Sequence, residues 1–308
     1  MKFLSLEPVT AGWSGDRKYC ATGVDGRKYF LRITPPEKAD RTKKSFELQK
    51  RMQALGVPMC MPLECGDSED GFYILQSWVE GESAEERVPA MTGEEQYSLG
   101  LESGRILKRI HSIPAPDDAA DWETRFNAKI DRKIRIYEDC PIKLEGEEAF
   151  LEYLAQNRAL LHGRSQCFQH GDYHIGNMMI EHGKLVIIDF DRFDYGDPWE
   201  EFNRIVWCAQ SAPVFACGMV EGYFDKSVPM EFWQLLALYI SSNTLSSIPW
   251  AIPFGEEEIE RFLAQAKEIL GWYDGMTRTV PRWYSEQRND RDRLPQDRLD
   301  GADEVQPV

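Results

Sequence analysis

One short stretch, HGDYHIGN at residues 170–177, holds two histidines, an aspartate and an asparagine, and Asp189 follows twelve residues later. Transfer of a phosphoryl group needs a carboxylate that orients the attacking hydroxyl, and hard oxygen ligands that hold Mg²⁺. Asp172 can serve as that carboxylate, and Asn177 with Asp189 can supply an amide and a carboxylate oxygen. With five histidines in the chain, the chance of Asp at +2 and Asn at +7 is on the order of 1%. The spacing is therefore specific.

A buried polar turn is the alternative, in which Asp172 and Asn177 bond backbone amides and do no chemistry. Two short strands are predicted between Asn177 and Asp189, with a turn at residues 182–183. That turn would return the chain so that Asn177 and Asp189 share one ion. We expect His170 to support the loop by bonding backbone carbonyls, and the histidines have no zinc-site spacing.

The N-terminal region is predicted to hold a nucleotide. The segment TAGWSGDRKY carries Gly12 and Gly15, where backbone amides could approach phosphates. The kinase template places a lysine on the third strand, but that strand reads YFLRI, so Arg32 stands there. Arginine can bind phosphate oxygens with two N–H groups but is bulkier than lysine. We expect Glu47, on the following helix, to form an ion pair with Arg32; its alternative is a solvated helix charge.

The segment LQSWVEGE, residues 75–82, is predicted to be a hinge between two lobes. Adenine needs one main-chain acceptor and one main-chain donor between apolar walls. Ser77 and Val79 could provide these groups, and Ile188 could form part of a wall. For any one of these residues, an ordinary core position at the end of a strand is nearly as good an interpretation.

The predicted elements give an α+β protein with two lobes. Residues 1–80 are β-rich with one helix at 38–55, and contain a hairpin that turns at Asp25-Gly26. From about residue 93 the apolar spacing is helical. Helices are predicted at 94–113, 122–138, 145–161, 198–210, 229–247 and 256–274.

These patterns divide the chain into three parts. Residues 1–80 form a small nucleotide-binding N-lobe, and residues 81–284 form a larger, mainly helical C-lobe for catalysis and acceptor binding. Residues 285–308 are polar and poor in apolar side chains, so we expect a loose or disordered tail.

The charge of the chain is uneven. The formal net charge is -16, yet residues 1–80 hold 12 basic and 11 acidic side chains, so the acidic excess lies in the C-lobe. Such a protein is a poor nucleic-acid binder, because phosphate contacts need Lys and Arg, but it could attract cationic ligands.

The seven cysteines contain no CxxC pair and are expected to be reduced. No apolar run reaches the roughly 18 residues of a membrane helix. We expect a cytoplasmic monomer or weak dimer.

The segments FQHGDYHIGNMMI and LVIIDFDRFDYGDPWEEFNRIVW resemble the H-G-D-x₄-N and I-D-x₈-D-P-x-x-D/E segments of the aminoglycoside phosphotransferase family. That family is a branch of the protein-kinase-like fold and includes macrolide, choline and homoserine kinases. The likeness covers roughly residues 10–275. It implies a bilobal fold, Asp172 as catalytic base, Asn177 and Asp189 as Mg²⁺ ligands, and a helical C-lobe that holds the acceptor. Asp191 is a departure, because many members carry Gly there.

Two further segments acquire a role through this resemblance. Asp197 is a natural helix N-cap, and the family makes it a structural residue that supports the catalytic loop. Residues 241–255 hold a Ser/Asn-rich stretch and two prolines around Trp250. They are a candidate wall of the acceptor pocket, or simply a helix end and a loop.

The sequence therefore predicts a small-molecule kinase that transfers the γ-phosphoryl group of ATP or GTP to a hydroxyl. Because the C-lobe is acidic, an aminoglycoside antibiotic is the first acceptor, which would imply a role in resistance. A macrolide or a metabolic alcohol of the choline or homoserine type is the second. A protein kinase is disfavoured because no A-P-E-like segment follows Asp189. Because Arg32 stands where the kinase template has a lysine, a nucleotide-binding module without catalytic activity is the remaining alternative.

Overall fold

A computed structural model describes residues 2–10 and 15–293 of the chain. The N-terminal part is an antiparallel sheet of five strands in the order β1-β2-β3-β5-β4. These strands are β1 (Phe3–Pro8), β2 (Arg17–Gly23), β3 (Lys28–Thr34), β4 (Pro62–Ser68) and β5 (Gly71–Ser77). One helix, α1 (Ala39–Ala54), lies between β3 and β4 in the chain and packs on β4 and β5.

The predicted hairpin is confirmed, since β2 and β3 pair with Thr22 opposite Lys28. Gly26 has a φ of 77°, a left-handed conformation that glycine adopts without steric cost. The Asp25 carboxylate accepts hydrogen bonds from the Arg27 N–H (3.1 Å) and the Tyr29 hydroxyl (2.8 Å). A local turn thus aligns β3, the strand that carries Arg32.

The remaining elements follow a short linker after Ser77. They are β6 (Glu82–Ser83), α2 (Ala84–Arg87), α3 (Gly93–Ile110), α4 (Trp122–Glu138), α5 (Glu147–Asn157), β7 (Cys167–Gln169), β8 (Met178–Glu181), β9 (Lys184–Ile187), β10 (Asp194–Gly196), α6 (Ile205–Ser211), α7 (Pro213–Tyr223), α8 (Met230–Ala251), α9 (Glu256–Trp272) and α10 (Arg282–Arg293). This mainly helical part contrasts with the β-rich N-terminal part, as the α+β prediction requires. The proposed division near residue 80 lies in the linker.

Two small sheets frame the loop at residues 170–177. Strand β7 pairs with β10 before the loop, and β8 pairs with β6 and β9 after it. His182 and Gly183 form the predicted β8–β9 turn, with φ values of 51° and 76°. The loop is therefore held by a strand at each end.

Helix α7 was not predicted from the sequence. It is apolar on nearly every side, and nine of its eleven residues are buried. A helix buried on all faces shows no alternation of polar and apolar positions, so its period could not be detected. Gly104 of α3 faces α7 so closely that a Cβ there would collide with the carbonyl oxygen of Met219.

Two other predictions need correction. The helix expected at 198–210 is a 3₁₀ segment, Glu200–Arg204, followed by α6. The tail expected to be loose from residue 285 begins inside α10, because buried Trp283 and Tyr284 hold this helix against the core. Residues 294–308 lie outside the described part of the chain. None of the helices described is both long and apolar enough to cross a membrane.

Candidate active site

Asp172 lies in the loop between β7 and β8, immediately after a glycine that the local geometry requires. Gly171 has a φ of 85°, and a Cβ at this position would collide with the carbonyl oxygen of Arg192. A side chain at position 171 would therefore force apart two chain segments that meet at Asp172.

His170 is fully buried and supports the loop, as predicted. Its Nε2–H donates to the carbonyl of Ile188 (3.0 Å), and its Nδ1 accepts from the backbone N–H of Asp172 (3.3 Å). Both ring nitrogens are thus engaged, which suits a neutral imidazole with its proton on Nε2. The imidazole joins the Asp172 loop to the strand that leads to Asp189.

Glu201 lies beneath the loop and was not singled out from the sequence. Its buried carboxylate accepts the backbone N–H groups of His170 (2.8 Å) and Gly171 (2.6 Å). His111 Nε2 lies 3.1 Å from the same carboxylate. Glu201 therefore fixes the backbone on which Asp172 is carried. The only signal in the sequence was its place in the D-P-x-x-D/E segment.

Asp197 is a second buried acid beneath the loop, and it has the structural role predicted for it. Its carboxylate accepts from Arg164 (2.7 and 3.1 Å), the Tyr239 hydroxyl (2.7 Å) and the Trp199 N–H (2.9 Å). Its carbonyl accepts from the side chain of Gln169, directly before His170 (2.8 Å). A carboxylate with this many fixed donors has little capacity for a ligand.

Three cationic or potentially cationic side chains surround the Asp172 carboxylate. Arg204 Nε lies 3.3 Å from it, Arg192 Nε 3.8 Å and His174 Nε2 3.7 Å. Burial by itself would raise the pKa of Asp172, but the nearby imidazole of His174 and the charge of Arg204 outweigh it and hold the pKa well below its usual range. Asp172 is therefore ionised at neutral pH and suited to accept a hydrogen bond from a hydroxyl.

Asn177 and Asp189 lie next to each other, as the predicted hairpin requires. The carbonyl of Asn177 accepts from the N–H of Ile188 (3.1 Å), directly before Asp189. The Asn177 amide nitrogen donates to the carbonyl of Asp172 (2.9 Å), and no described donor bonds its amide oxygen. Asp189 adopts a left-handed conformation (φ 62°), and its side chain is 43% exposed. An amide oxygen and an accessible carboxylate are the hard ligands that suit Mg²⁺.

Arg32 is buried and contacts three acids. None of these acids was predicted from the sequence to be its partner. Its Nε donates to Asp16 (2.8 Å), its Nη1 lies 3.5 Å from Asp189, and its Nη2 contacts Asp191. Lys38 also bonds Asp16, at 3.0 Å. Asp16 belongs to the glycine-containing segment predicted to approach phosphates, so this segment and the Asp189 strand meet at one guanidinium.

The expected ion pair between Glu47 and Arg32 is wrong. Glu47 lies on the exposed face of α1. Burial, followed by the charge of Glu47, raises the pKa of the Cys65 thiol, which places Glu47 beside β4. Helical spacing could not say which face of α1 turns toward Arg32. The face that packs inward presents uncharged side chains such as Gln49, which bonds Gln76 (2.7 Å).

Some backbone N–H groups of the predicted hinge already donate hydrogen bonds within the protein. The Ser77 N–H donates to the Met61 carbonyl (2.9 Å), and the Glu80 N–H donates to Glu181 (2.7 Å). The Ser77 N–H is therefore not available to adenine, whereas its carbonyl and the main chain of half-buried Val79 stay candidates for the predicted contacts.

The other predicted nucleotide residues are placed as follows. Ile188 is half-buried, and its carbonyl is held by His170. Gly15 is exposed and directly precedes Asp16. Gly12 lies outside the described residues.

In the candidate acceptor wall at 241–255, polar side chains form hydrogen bonds within their own helix. Ser241 and Thr244 bond carbonyls one turn earlier in α8 (2.7 and 2.9 Å). Trp207 of α6, which was not singled out from the sequence, contacts the site, with its ring 4.9 Å from that of His174 and 5.1 Å from the Arg204 guanidinium carbon.

Comparisons with known proteins agree with this geometry. Aminoglycoside phosphotransferase APH(2'')-Ib bound to ADP is 18% identical, with a TM-score of 0.61 over 86% of this chain and 94% of that one. Aminoglycoside phosphotransferase APH(4)-Ia is 16% identical, with a TM-score of 0.64 over 87% and 93%. The gentamicin complex of APH(2")-IIa is 17% identical, with a TM-score of 0.61 over 87% and 92%. These likenesses show the protein-kinase-like fold.

A search of the curated proteins gives no match. The family comparison is decisive: the model of the phosphotransferase enzyme family matches residues 5–233, which include Arg32, the loop at 170–177 and Asp189. The chain belongs to the phosphotransferase enzyme family.

Proposed function

We propose that this protein transfers the γ-phosphoryl group of a nucleoside triphosphate to a hydroxyl of a small molecule, with Asp172 as the residue that receives the hydroxyl. The observation that carries this proposal is an ionised carboxylate on a fixed backbone, one hydrogen bond away from the Asn177 and Asp189 pair. Family membership supports the reaction class.

Each group has a distinct task in this proposal. Asp172 accepts a hydrogen bond from the acceptor hydroxyl and turns its oxygen toward the phosphorus. A carboxylate with a low pKa is a weak base, which is sufficient because proton transfer can follow phosphoryl transfer in a loose transition state. Arg32 would bind phosphate oxygens after exchanging part of its contact with Asp16 and Asp191.

Asn177 and Asp189 would hold Mg²⁺, which when bound neutralises charge on the transferred phosphoryl group. The amide oxygen of Asn177 and the accessible carboxylate of Asp189 fit this ion. Asp191 adds a carboxylate that could serve the same site, but its contact is with Arg32. In this proposal, main-chain groups of the hinge near Val79 would distinguish ATP from GTP.

Among acceptors, an aminoglycoside is the candidate that the neighbours suggest, since one of them is a gentamicin complex. The net charge of -16 attracts cations at long range but does not set the charge beside Asp172. A macrolide or a metabolic alcohol is the alternative. The cytoplasmic location, the monomeric or weakly dimeric state and the role in resistance rest on the sequence alone.

The test is nucleotide turnover with a panel of acceptors. ADP formation is measured with aminoglycosides, macrolides, choline, homoserine and hydroxy acids, each with and without Mg²⁺, against Asp172→Ala as background. We expect at least one acceptor class to raise turnover in the wild type only. If Mg²⁺ and nucleotide bind but no acceptor raises turnover above that background, the catalytic proposal gives way to a nucleotide-binding module.

A further inference from the structure

Two guanidinium groups lie close to the Asp172 carboxylate in a protein whose net charge is -16, while the neighbouring acids Asp189 and Asp191 contact Arg32. Arg192 and Arg204 both approach its carboxylate, and a single carboxylate cannot neutralise two guanidinium groups. Arg204 also lies over the Trp207 ring, which holds it at the wall of the site. The side chain of Arg204 is 21% exposed and that of Arg192 is 49% exposed. Both cations can therefore meet a ligand that approaches Asp172.

Helix α4 adds further cations behind Arg204. Lys129 pairs with Glu200 at 3.0 Å, and Lys133 follows one turn later on the same face. No described residue forms a hydrogen bond or an ion pair with Lys133. Burial, then the charge of Lys129, lower the pKa of Lys133 to about 7; the Glu200 carboxylate opposes this shift, and the charges of Arg204 and Arg132 add to it. Because Glu200 is already bonded to Lys129, an amine repelled by its cationic neighbours gains from an incoming anion.

The acids near this cluster do not balance it. Glu200 is already bonded to Lys129 and to Gln169 (3.0 and 3.2 Å). Glu85 of α2 is exposed and lies near Gly176 and His174. Glu201 is occupied by backbone N–H groups. The four cations, Arg192, Arg204, Lys129 and Lys133, thus face two carboxylates, Asp172 and Glu200.

We propose that the acceptor is a hydroxyl compound that also carries an anionic group, a carboxylate or a phosphate, which Arg204 and Lys133 bind beside Asp172. This inference rests on the proposed kinase function and defines its substrate class. An anionic group placed there would relieve the repulsion among the cations and hold the hydroxyl near Asp172. A polycation would increase that repulsion, whatever the net charge of the protein.

The experiment uses the full-length protein saturated with Mg²⁺ and AMP-PNP, so that the nucleotide site is filled. Thermal unfolding is followed at pH 6.5 and constant ionic strength with four probes: malonate, inorganic phosphate, spermine and gentamicin. Three proteins are compared: wild type, Lys133→Met, and the control Lys267→Met, which removes one exposed lysine of α9 and so makes the same change in net charge.

We expect malonate or phosphate to raise the melting temperature of the wild type and of the control. Lys133→Met should need about tenfold more of the same anion, since one charge-assisted contact is lost. The stronger of the two anions identifies the group as carboxylate or phosphate. The inference is overturned if spermine or gentamicin stabilises the protein instead, if no probe does, or if Lys133→Met responds like the control.

The first step separates this inference from the function on which it rests. Mg²⁺ with AMP-PNP must itself raise the melting temperature of the wild type. If it does not, the kinase proposal fails and the acceptor inference fails with it. If it does, the four probes test only the charge of the acceptor.

Discussion

Two groups of acids in one short run, residues 189–201, have opposite environments. Beneath the catalytic loop, Asp197 and Glu201 are 0% and 2% exposed, and both accept several hydrogen bonds, including backbone N–H groups. On the cleft side, Asp189 and Asp191 are 43% and 30% exposed and share one guanidinium. The first pair is bonded to fixed donors and acts as scaffold. The second pair is accessible and shares one guanidinium, which under the proposed function a metal ion or phosphate would displace.

The strongest test of the cleft side is Asp172→Asn. This change keeps the shape of the side chain but removes the negative charge that, in the proposed function, receives the hydroxyl. We expect turnover to fall by on the order of 10²–10⁴. The affinity for Mg²⁺ with AMP-PNP, measured by titration calorimetry, should stay close to the wild-type value. A variant that keeps wild-type turnover would remove Asp172 from the mechanism.

The strongest test of the scaffold side is Glu201→Gln. An amide cannot accept from both the His170 and Gly171 N–H groups and from His111, because its NH₂ end would meet a donor. We expect the free energy of unfolding to fall by about 1–3 kcal/mol, measured by urea denaturation. Asp194→Asn, in the same run but exposed, should change it by less than about 0.5 kcal/mol. Equal effects of the two variants would contradict the distinction between scaffold and cleft.

Arg32→Lys tests whether the shared guanidinium sets the nucleotide contact. Lysine is a single point of charge and cannot bridge Asp16, Asp189 and Asp191 together. We expect the KM for nucleotide to rise about tenfold, with a smaller change in kcat. Arg27→Lys, on an exposed turn, is the matched control. If KM is unchanged, Arg32 has a structural role only.

The smallest expected effect concerns Lys133→Met without any acceptor. A folded-state pKa of about 7, below the usual lysine value, means that the protonated amine destabilises the folded state. This penalty is largest at and below pH 7 and declines as the pH rises toward the usual value. We therefore expect the variant to melt a few degrees higher than the wild type at pH 7 and closer to it at pH 9.5. A lower melting temperature at pH 7 would show that Lys133 already has a stabilising partner.

Elements with local signals were predicted well. The Asp25-Gly26 hairpin, helix α4 and the β8–β9 turn lie where short-range patterns placed them. Helix α7 was not predicted because it is buried on all sides and shows no alternation of polar and apolar positions. Helix α10 was not predicted because only Trp283 and Tyr284 at its start are buried, and the residues after them are polar. In both cases, packing against other elements and not local pattern decided the structure.

The sequence by itself determined the chemistry of the loop. The order of His170, Asp172 and Asn177 is covalent, and a short hairpin returns the chain to Asp189, so their proximity follows from local geometry. Only the tertiary structure decided that Arg32 meets Asp16 and not Glu47, and that Arg192 and Arg204 both approach Asp172 in an acidic protein. These contacts join segments far apart in sequence. Coulomb interactions fall off with distance and depend on burial, so they are set by how the segments pack and not by composition.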